Sequence, residues 1–564
     1  MLMPSRAALA AILLLFMAIP AVIVHLECDI LPDDDAYITY RYADRLAETG
    51  LVSYNDGERV FGISTPLYFA WLGALKKAFP NVPTDHLAVR TNLIWFILTG
   101  AGICAAILRL TGGRAAGLAT GALVMLHPAF INVSIGGMES FMFLALFSWS
   151  ICLMALRREK SAAILAGLSA LARPEAVPCA LALAPLACRL GWKRALPAAA
   201  IAAAPPVGWA LYSWLAFGSP IPHCIIAKLT PLYPRQPFDA VAAMIDLIGK
   251  AAAPSFPPGP GSSVLTLIVL TAASVSAILG SGTRRLEHSC VVLWFWSAFA
   301  FYGFSNPLMM TWYAPIFLAP LCCLLVSGTA GLASLLRKSA ASSRQSIYKD
   351  SFRPANAPAA GLAFAVILAA QWAELAAGGG RFRSAFRDAD PAAIRVAAYS
   401  EAGRWLRSID GRSPVAAPEI GALGYAYGGP ILDVCGLVSP AALPFLPVPA
   451  DERGAPQIGA ISPDLVLALR PVWIVTIDIF AAWGLYRKPW FPGMYEEIRT
   501  FRLPAEIWGC REVRVFRIRS ADAQPDNSRN KTCKPRFSSR LCGGSAAMRP
   551  LSAFLRIDCE QPAV

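Results

Sequence analysis

Apolar runs long enough to cross a lipid bilayer recur along the first two-thirds of this 564-residue chain, and nothing else in it restricts the fold as strongly. The first, Ala7 to Leu26, follows Arg6 and supplies about 20 residues, or roughly 30 Å of helix. A cleaved leader is the competing reading, but its apolar core would be about 7–15 residues long before a small-residue cleavage site. This run is longer and closes on His25-Leu26-Glu27, so we read an uncleaved span with a cytoplasmic amino terminus. Further spans are expected at Ala88–Leu108, Ala115–Ser134, Met138–Leu156, Ala162–Ala172, Ala176–Cys188 and Ala195–Phe217. Val264–Leu279, Cys290–Phe304, Leu308–Val326 and Ala360–Ala377 complete a set of eleven. Thr65–Phe79 is short and carries Lys76 and Lys77 near its end, which suits a helix at the interface.

Charge agrees with this division. Only 15% of residues are charged, against roughly 25% in a soluble domain. The positives avoid any one domain face, which argues against nucleic acid as a partner. Counted from an inside start, the basic clusters Arg109/Arg114, Arg157/Arg158/Lys160, Arg189/Lys193/Arg194, Arg284/Arg285 and Arg337–Lys349 all fall in cytoplasmic loops. That is the positive-inside pattern, and making the Lys76 segment a full crossing would invert it. The outer side then collects the loop after the first span, where nine acidic residues stand against three Arg between Glu27 and Val60.

From Arg381 to about Ser520 the composition becomes that of a soluble domain. Val396–Ile409 is amphipathic, and Pro414–Ala417, Ile431–Val434, Trp473–Ile477 and Val513–Ile518 read as short strands between Gly- and Pro-marked turns. The expected architecture is an α-helical polytopic membrane domain over 1–379, with its first outer loop at 27–80. A small α/β extracytoplasmic domain follows over 380–520, and a disordered tail over 521–564. Cys435 and Cys510 both fall in the soluble part and are able to pair, though spacing does not show it. No CxxC pair, HExxH or Walker A pattern is present, so zinc and nucleotide sites have no support in sequence.

Asp33, Asp34 and Asp35 stand directly at the end of the first span. They read either as a solvated anionic loop or as carboxylates folded back against the bundle, where burial beside a like charge raises a pKa toward that of a general base. Glu139 is either an active-site acid or a cap at a helix amino terminus. Arg173 and Glu175 split two short apolar runs, and they face a cavity or pair with each other. Lys228 and Arg41 are candidates for a lipid phosphate, with snorkelling as the alternative. Trp312 and Tyr313 pack on a substrate or belong to an interfacial aromatic belt. His127, before Pro128, reads as structural.

These residues carry a resemblance. DDAYITYRYADRL followed by GLVSYNDGERVFGISTPLY resembles the first outer loop of GT-C glycosyltransferases, and is most similar to mycobacterial-type terminal arabinofuranosyltransferases and their bacterial relatives. GGMESFMF (Gly136–Phe143), ARPEA (Ala172–Ala176), FGSPIPHCIIAKL (Phe217–Leu229) and the segment Pro418–Asp433 extend it in scattered blocks. The resemblance implies a multi-span enzyme of the bacterial inner membrane, with its soluble domain in the periplasm. Its donor would be a polyprenyl-phosphate-linked sugar and its acceptor a cell-envelope glycan, lipid or protein. It implies Asp34 as catalytic base with Asp35 orienting the pair or a divalent cation, and Asp33 as an extra acid. Arg41, Lys228 and Tyr37 would face the donor and its phosphate, with Glu139, Arg173, Glu175, His223 and Tyr313 around them. His223 departs from the family, which has an amide there. Hexosyl or pentosyl transfer with inversion is the expected reaction. A lipid-linked glycan flippase is the main alternative, and a non-catalytic scaffold a third.

Overall fold

The apolar runs fold into helices in the computed structural model of the chain, which describes residues 6–27, 32–229, 236–252, 260–343, 365–366, 368–373, 391–454 and 459–519. The expected tail 521–564 and most of the run 360–377 lie outside those residues. In order come α1 (Arg6–Glu27), α2 (Asp34–Thr49), α3 (Pro66–Ala78), α4 (Thr84–Thr111), α5 (Arg114–Leu126), α6 (Pro128–Ser134) and α7 (Ser140–Ala155). They are followed by α8 (Glu159–Ala172), α9 (Ala176–Cys179), α10 (Ala184–Leu190), α11 (Trp192–Phe217), α12 (His223–Leu229) and α13 (Asp239–Ala252). The bundle closes with α14 (Pro260–Gly280), α15 (Arg285–Ser305) and α16 (Ala314–Ser343).

Four helices, Thr84–Thr111, Trp192–Phe217, Gly261–Gly280 and Thr311–Ser339, are long and apolar enough to cross a membrane. The pair α5 and α6 makes a fifth if its 58° bend belongs to one span. The eleven spans expected from sequence are not reached among the described residues. The reason is local: α7 and α8 stop at 16 and 14 residues, a 3-10 turn at Ala180–Leu183 separates α9 from α10, and α15 opens on Arg285 and Glu287. The bend after α5 follows from Pro128, which has no N–H to continue the ladder. His127 supplies the cap instead: its Nδ1 accepts from the Ala129 N–H at 3.1 Å while Nε2 donates to the Ala251 carbonyl at 2.8 Å.

After the bundle, α17 (Pro391–Ile409) leads into β1 (Val415–Ala417), α18 (Gly421–Tyr427), β2 (Ile431–Asp433), α19 (Pro463–Leu469), β3 (Trp473–Ile477), β4 (Tyr495–Ile507) and β5 (Cys510–Ile518). The sheet order is β2-β1-β3-β5-β4. β1 pairs parallel with β2 and β3, as a strand–helix–strand crossover through α18 requires. β5 pairs antiparallel with β3 and β4. Trp508 and Gly509, with φ of 50° and 77°, form the two-residue connection from β4 to β5, the geometry tight hairpins favour. Cys435 and Cys510 are both buried and free.

Candidate active site

The first loop is held between the bundle and the sheet domain by backbone carbonyls on both sides. Toward the bundle, the Asp33 N–H donates to the Gly136 carbonyl at 3.1 Å. The Tyr40 and Tyr68 hydroxyls both donate to the Gly137 carbonyl, at 2.9 and 2.7 Å, and Asn92 Nδ2 to the Met138 carbonyl at 2.9 Å. Three consecutive carbonyls are thereby satisfied by the first loop and α4, which fixes the chain just before Glu139. Toward the sheet domain, the Tyr54 hydroxyl donates to the Ile420 carbonyl at 2.7 Å, and Asn55 exchanges two bonds with the Ile431 backbone at 2.8 and 3.0 Å.

Arg41 belongs to this second set. Its Nε donates to the Tyr54 carbonyl at 2.9 Å, Nη1 to the Gly424 carbonyl at 2.7 Å, and Nη2 to the Gly429 carbonyl at 2.7 Å and to Asn55 Oδ1 at 3.3 Å. The side chain is buried, with its guanidinium 4.2 Å from the Tyr54 ring centroid. Four of its five N–H donors are thus spent on oxygens of the protein, which makes Arg41 a docking residue between the two parts of the chain. Tyr37 is placed similarly: its buried ring lies 5.3 Å from both Tyr40 and Tyr425, the latter on α18.

Adjacent carboxylates at the start of α2 are treated unequally. Asp34 accepts the Ala422 N–H at 2.8 Å and the Gly421 N–H at 3.1 Å, and so caps α18 from another part of the chain. The approach is close enough that a Cβ on Gly421 would overlap the Asp34 carbonyl, which is why glycine stands there. Asp35, half-buried, accepts no hydrogen bond and forms no ion pair among the described residues. Burial pushes the pKa of both upward. At Asp34 the Ala422 N–H opposes the rise; at Asp35 Lys228 and Arg395 do.

On the bundle side of Asp35, Glu139, Arg173 and Glu175 form one buried network. Arg173 grips Glu175 at two points, Nη2 to Oε1 at 2.7 Å and Nε to Oε2 at 3.1 Å, and reaches Glu139 through Nη1. The Tyr302 hydroxyl donates to Glu175 Oε1 at 2.8 Å, and the Arg173 guanidinium lies 5.2 Å from the centroid of Tyr313. Lys228, at the end of α12, is exposed on its open side and has Tyr313, Asp35 and Arg173 as electrostatic neighbours. His223 opens α12 with its N–H on the Phe61 carbonyl at 2.8 Å; its half-buried ring has an Nε2 without a hydrogen-bond partner.

Apart from His223, which stands against Phe61, the expected residues thus fall into two groups. Asp35, Glu139, Arg173, Glu175, Lys228 and Tyr313 converge at the junction of bundle and sheet domain, while Asp34, Arg41 and Tyr37 hold that junction together. Sequence reasoning missed Arg395 and Glu419, which come from the sheet domain to the same place. Their only signal was Glu419 lying in the Pro418–Asp433 block. Among the described residues no group of three or more His, Cys, Asp or Glu is arranged to hold a metal ion. With Asp34 engaged by backbone N–H groups, the donor set does not fit a protein-held divalent cation.

Comparison with known proteins agrees with the architecture. Residues 390–522 match a family model described as a domain of unknown function, DUF8728. No curated protein matches the chain in sequence. Among solved structures, ArnT from Cupriavidus metallidurans in the apo state superposes with a TM-score of 0.53 at 12% identity, covering 92% of this chain and all of that one. The Archaeoglobus fulgidus oligosaccharyltransferase in complex with zinc and sulfate gives 0.50 at 13% identity over 88% of this chain and 73% of that one. The archaeal oligosaccharyltransferase AglB from the same organism, in complex with an inhibitory peptide and a dolichol-phosphate, gives 0.50 at 11% identity over 93% and 75%. The fold resembles that of ArnT and of the archaeal oligosaccharyltransferase. At such identities the likeness concerns the fold alone.

Proposed function

We propose that this chain is an integral-membrane glycosyltransferase of the GT-C type. It moves a sugar from a polyprenyl-phosphate donor to a cell-envelope glycan, lipid or protein acceptor on the outer face of the membrane. One observation carries this reading: a half-buried carboxylate, Asp35, has no hydrogen-bond or ion-pair partner among the described residues and feels the charge of Lys228, in a fold like that of AglB, which has been captured with dolichol-phosphate. A carboxylate that burial drives toward neutrality is tuned to take a proton.

In this mechanism Asp35 accepts the proton of the acceptor hydroxyl, the role sequence alone suggested for Asp34. The hydroxyl oxygen bonds to the anomeric carbon as that carbon's bond to the phosphate oxygen breaks, and polyprenyl phosphate leaves with the electron pair. A single displacement inverts the anomeric centre. Lys228 stabilises the charge developing on the leaving phosphate, where electrostatic stabilisation counts most. Asp34 positions Asp35 by fixing the first turn of α2 to α18, and the Arg173 network forms a rigid wall behind them.

The test is reconstitution in proteoliposomes with a panel of polyprenyl-phosphate sugars and envelope glycans. Transfer of labelled sugar to a glycan, lost on replacing Lys228 with Ala, is the expected result. Movement of the lipid-linked sugar across the bilayer without any transfer would overturn the assignment and favour a flippase.

A further inference from the structure

Three arginines lie largely buried around the first loop, and their partners differ. Arg41 spends four of its five N–H donors on oxygens of the protein, and Arg173 grips Glu175 with two parallel contacts. Arg395, on α17, meets one anion at one point, Nε to Glu419 Oε1 at 2.7 Å. Its terminal nitrogens, Nη1 and Nη2, have no hydrogen-bond partner among the described residues. A purely structural ion pair in a buried site closes as Arg173 and Glu175 do, because each unused donor or acceptor costs stability. Here the terminal nitrogens stay open, and among the described residues Arg395 Nε and Glu419 Oε2 are both buried without a hydrogen-bond partner.

The side chain is nevertheless held in place. Its guanidinium lies 4.4 Å from the ring centroid of Trp508, which sits in the β4–β5 turn at a φ of 50°. α17 packs on α18 and touches α2, so this cation bears on Asp34 and Asp35. Asp35 therefore feels the charge of two cations, Lys228 from the bundle and Arg395 from the sheet domain.

We propose that Arg395 binds the phosphate of the polyprenyl-phosphate donor through Nη1 and Nη2, completing with Lys228 a two-cation clamp built from both parts of the chain. The assignment rests on the glycosyltransferase reading. A planar guanidinium fork matches two oxygens of a phosphate, where an ammonium acts as a point charge. The groups facing Arg395 are Glu419, Asp34, Asp35, Tyr399 and Trp508. Burial, against the pull of Arg395, pushes Glu419 up to about 7, so near neutral pH a proton on Glu419 leaves the guanidinium charge for an incoming anion.

The experiment measures the affinity of the full-length protein, in nanodiscs of zwitterionic lipid, for sugar-free polyprenyl phosphate and separately for inorganic phosphate. The variants are Arg395→Gln, Arg395→Lys and Glu419→Gln, each with its thermal midpoint. Arg395→Gln is expected to weaken the lipid about tenfold or more, in line with a charged hydrogen bond of roughly 1.5–3 kcal/mol. Arg395→Lys should recover part of the loss, and Glu419→Gln should bind as tightly as wild type or more so, because it removes the competing anion. Equal weakening by Arg395→Gln and Glu419→Gln in step with lowered midpoints marks a structural pair and overturns the proposal. So does an unchanged lipid affinity in Arg395→Gln, or a loss confined to inorganic phosphate. Failure of the wild-type protein to bind polyprenyl phosphate at all would instead remove the functional reading itself.

Discussion

Asp34 and Asp35 are neighbours in sequence, yet they belong to regions of opposite character. On the side of Asp34 and Arg41, polar groups of the first loop are matched to carbonyls and N–H groups of the sheet domain. On the side of Asp35, Lys228 and Arg395, charged groups face one another with few contacts. Buried polar groups ordinarily find partners, because leaving one unmade costs about 1–3 kcal/mol. The satisfied side is therefore a joint. The unsatisfied side is where an external ligand would repay the deficit.

That contrast breaks if substitutions on the joint leave stability untouched. Arg41→Ala should have the largest effect, since it strands the carbonyls of Tyr54, Gly424 and Gly429 in a buried place. A loss of about 3–5 kcal/mol is expected, read as a lowered thermal midpoint and faster proteolysis of the sheet domain. Gly421→Val comes next, because its Cβ overlaps the Asp34 carbonyl; roughly 2–3 kcal/mol should be lost, with activity falling in parallel. Asp34→Asn keeps one acceptor but turns an NH2 toward α18, which should cost about 1 kcal/mol. Transfer should slow about tenfold by the same arithmetic, through misplacement of Asp35.

The smallest effect concerns pH. Burial raises Glu419 in the folded chain to about 7 from a reference of 4.5, so the folded state holds a proton that the unfolded state releases. The stability linked to Glu419 is full below pH 4.5 and declines as pH rises toward 7. Glu419→Gln removes that decline, so the midpoint of the variant relative to wild type should climb between those values. A difference that stays flat across the window would show that Glu419 is not buried as a titrating group.

Much of this architecture was legible in the chain because it follows from apolar patterning. The short segments at Ile431 and Trp473, set between Gly- and Pro-marked turns, announced strands, and α17 was visible as an amphipathic segment. β4 was not, because YEEIRTFRLPAEI lies at the sheet edge with most of its side chains in solvent, and charge there replaces the apolar alternation. The His127–Pro128 bend was hidden inside a run of uniform hydropathy. At the site, Arg173 and Glu175 stood out because ionisable groups are scarce at membrane depth, and Glu139 because it stands where a helix begins. The partners of Asp34 and Arg41 lie more than 380 residues away in the chain, at Ala422 and Gly424, and no local pattern encodes such a pairing. Arg395 was invisible for the opposite reason: an arginine on an amphipathic helix looks like surface.

Sugar transfer by Asp35→Asn and Asp34→Asn, measured side by side in proteoliposomes with thermal midpoints for both, tests the central claim most directly. Asp35→Asn should keep its midpoint and lose transfer by about a thousandfold, as removal of a general base does, while Asp34→Asn loses stability and only part of its rate. Full transfer by Asp35→Asn in a protein that still binds its donor would contradict the account.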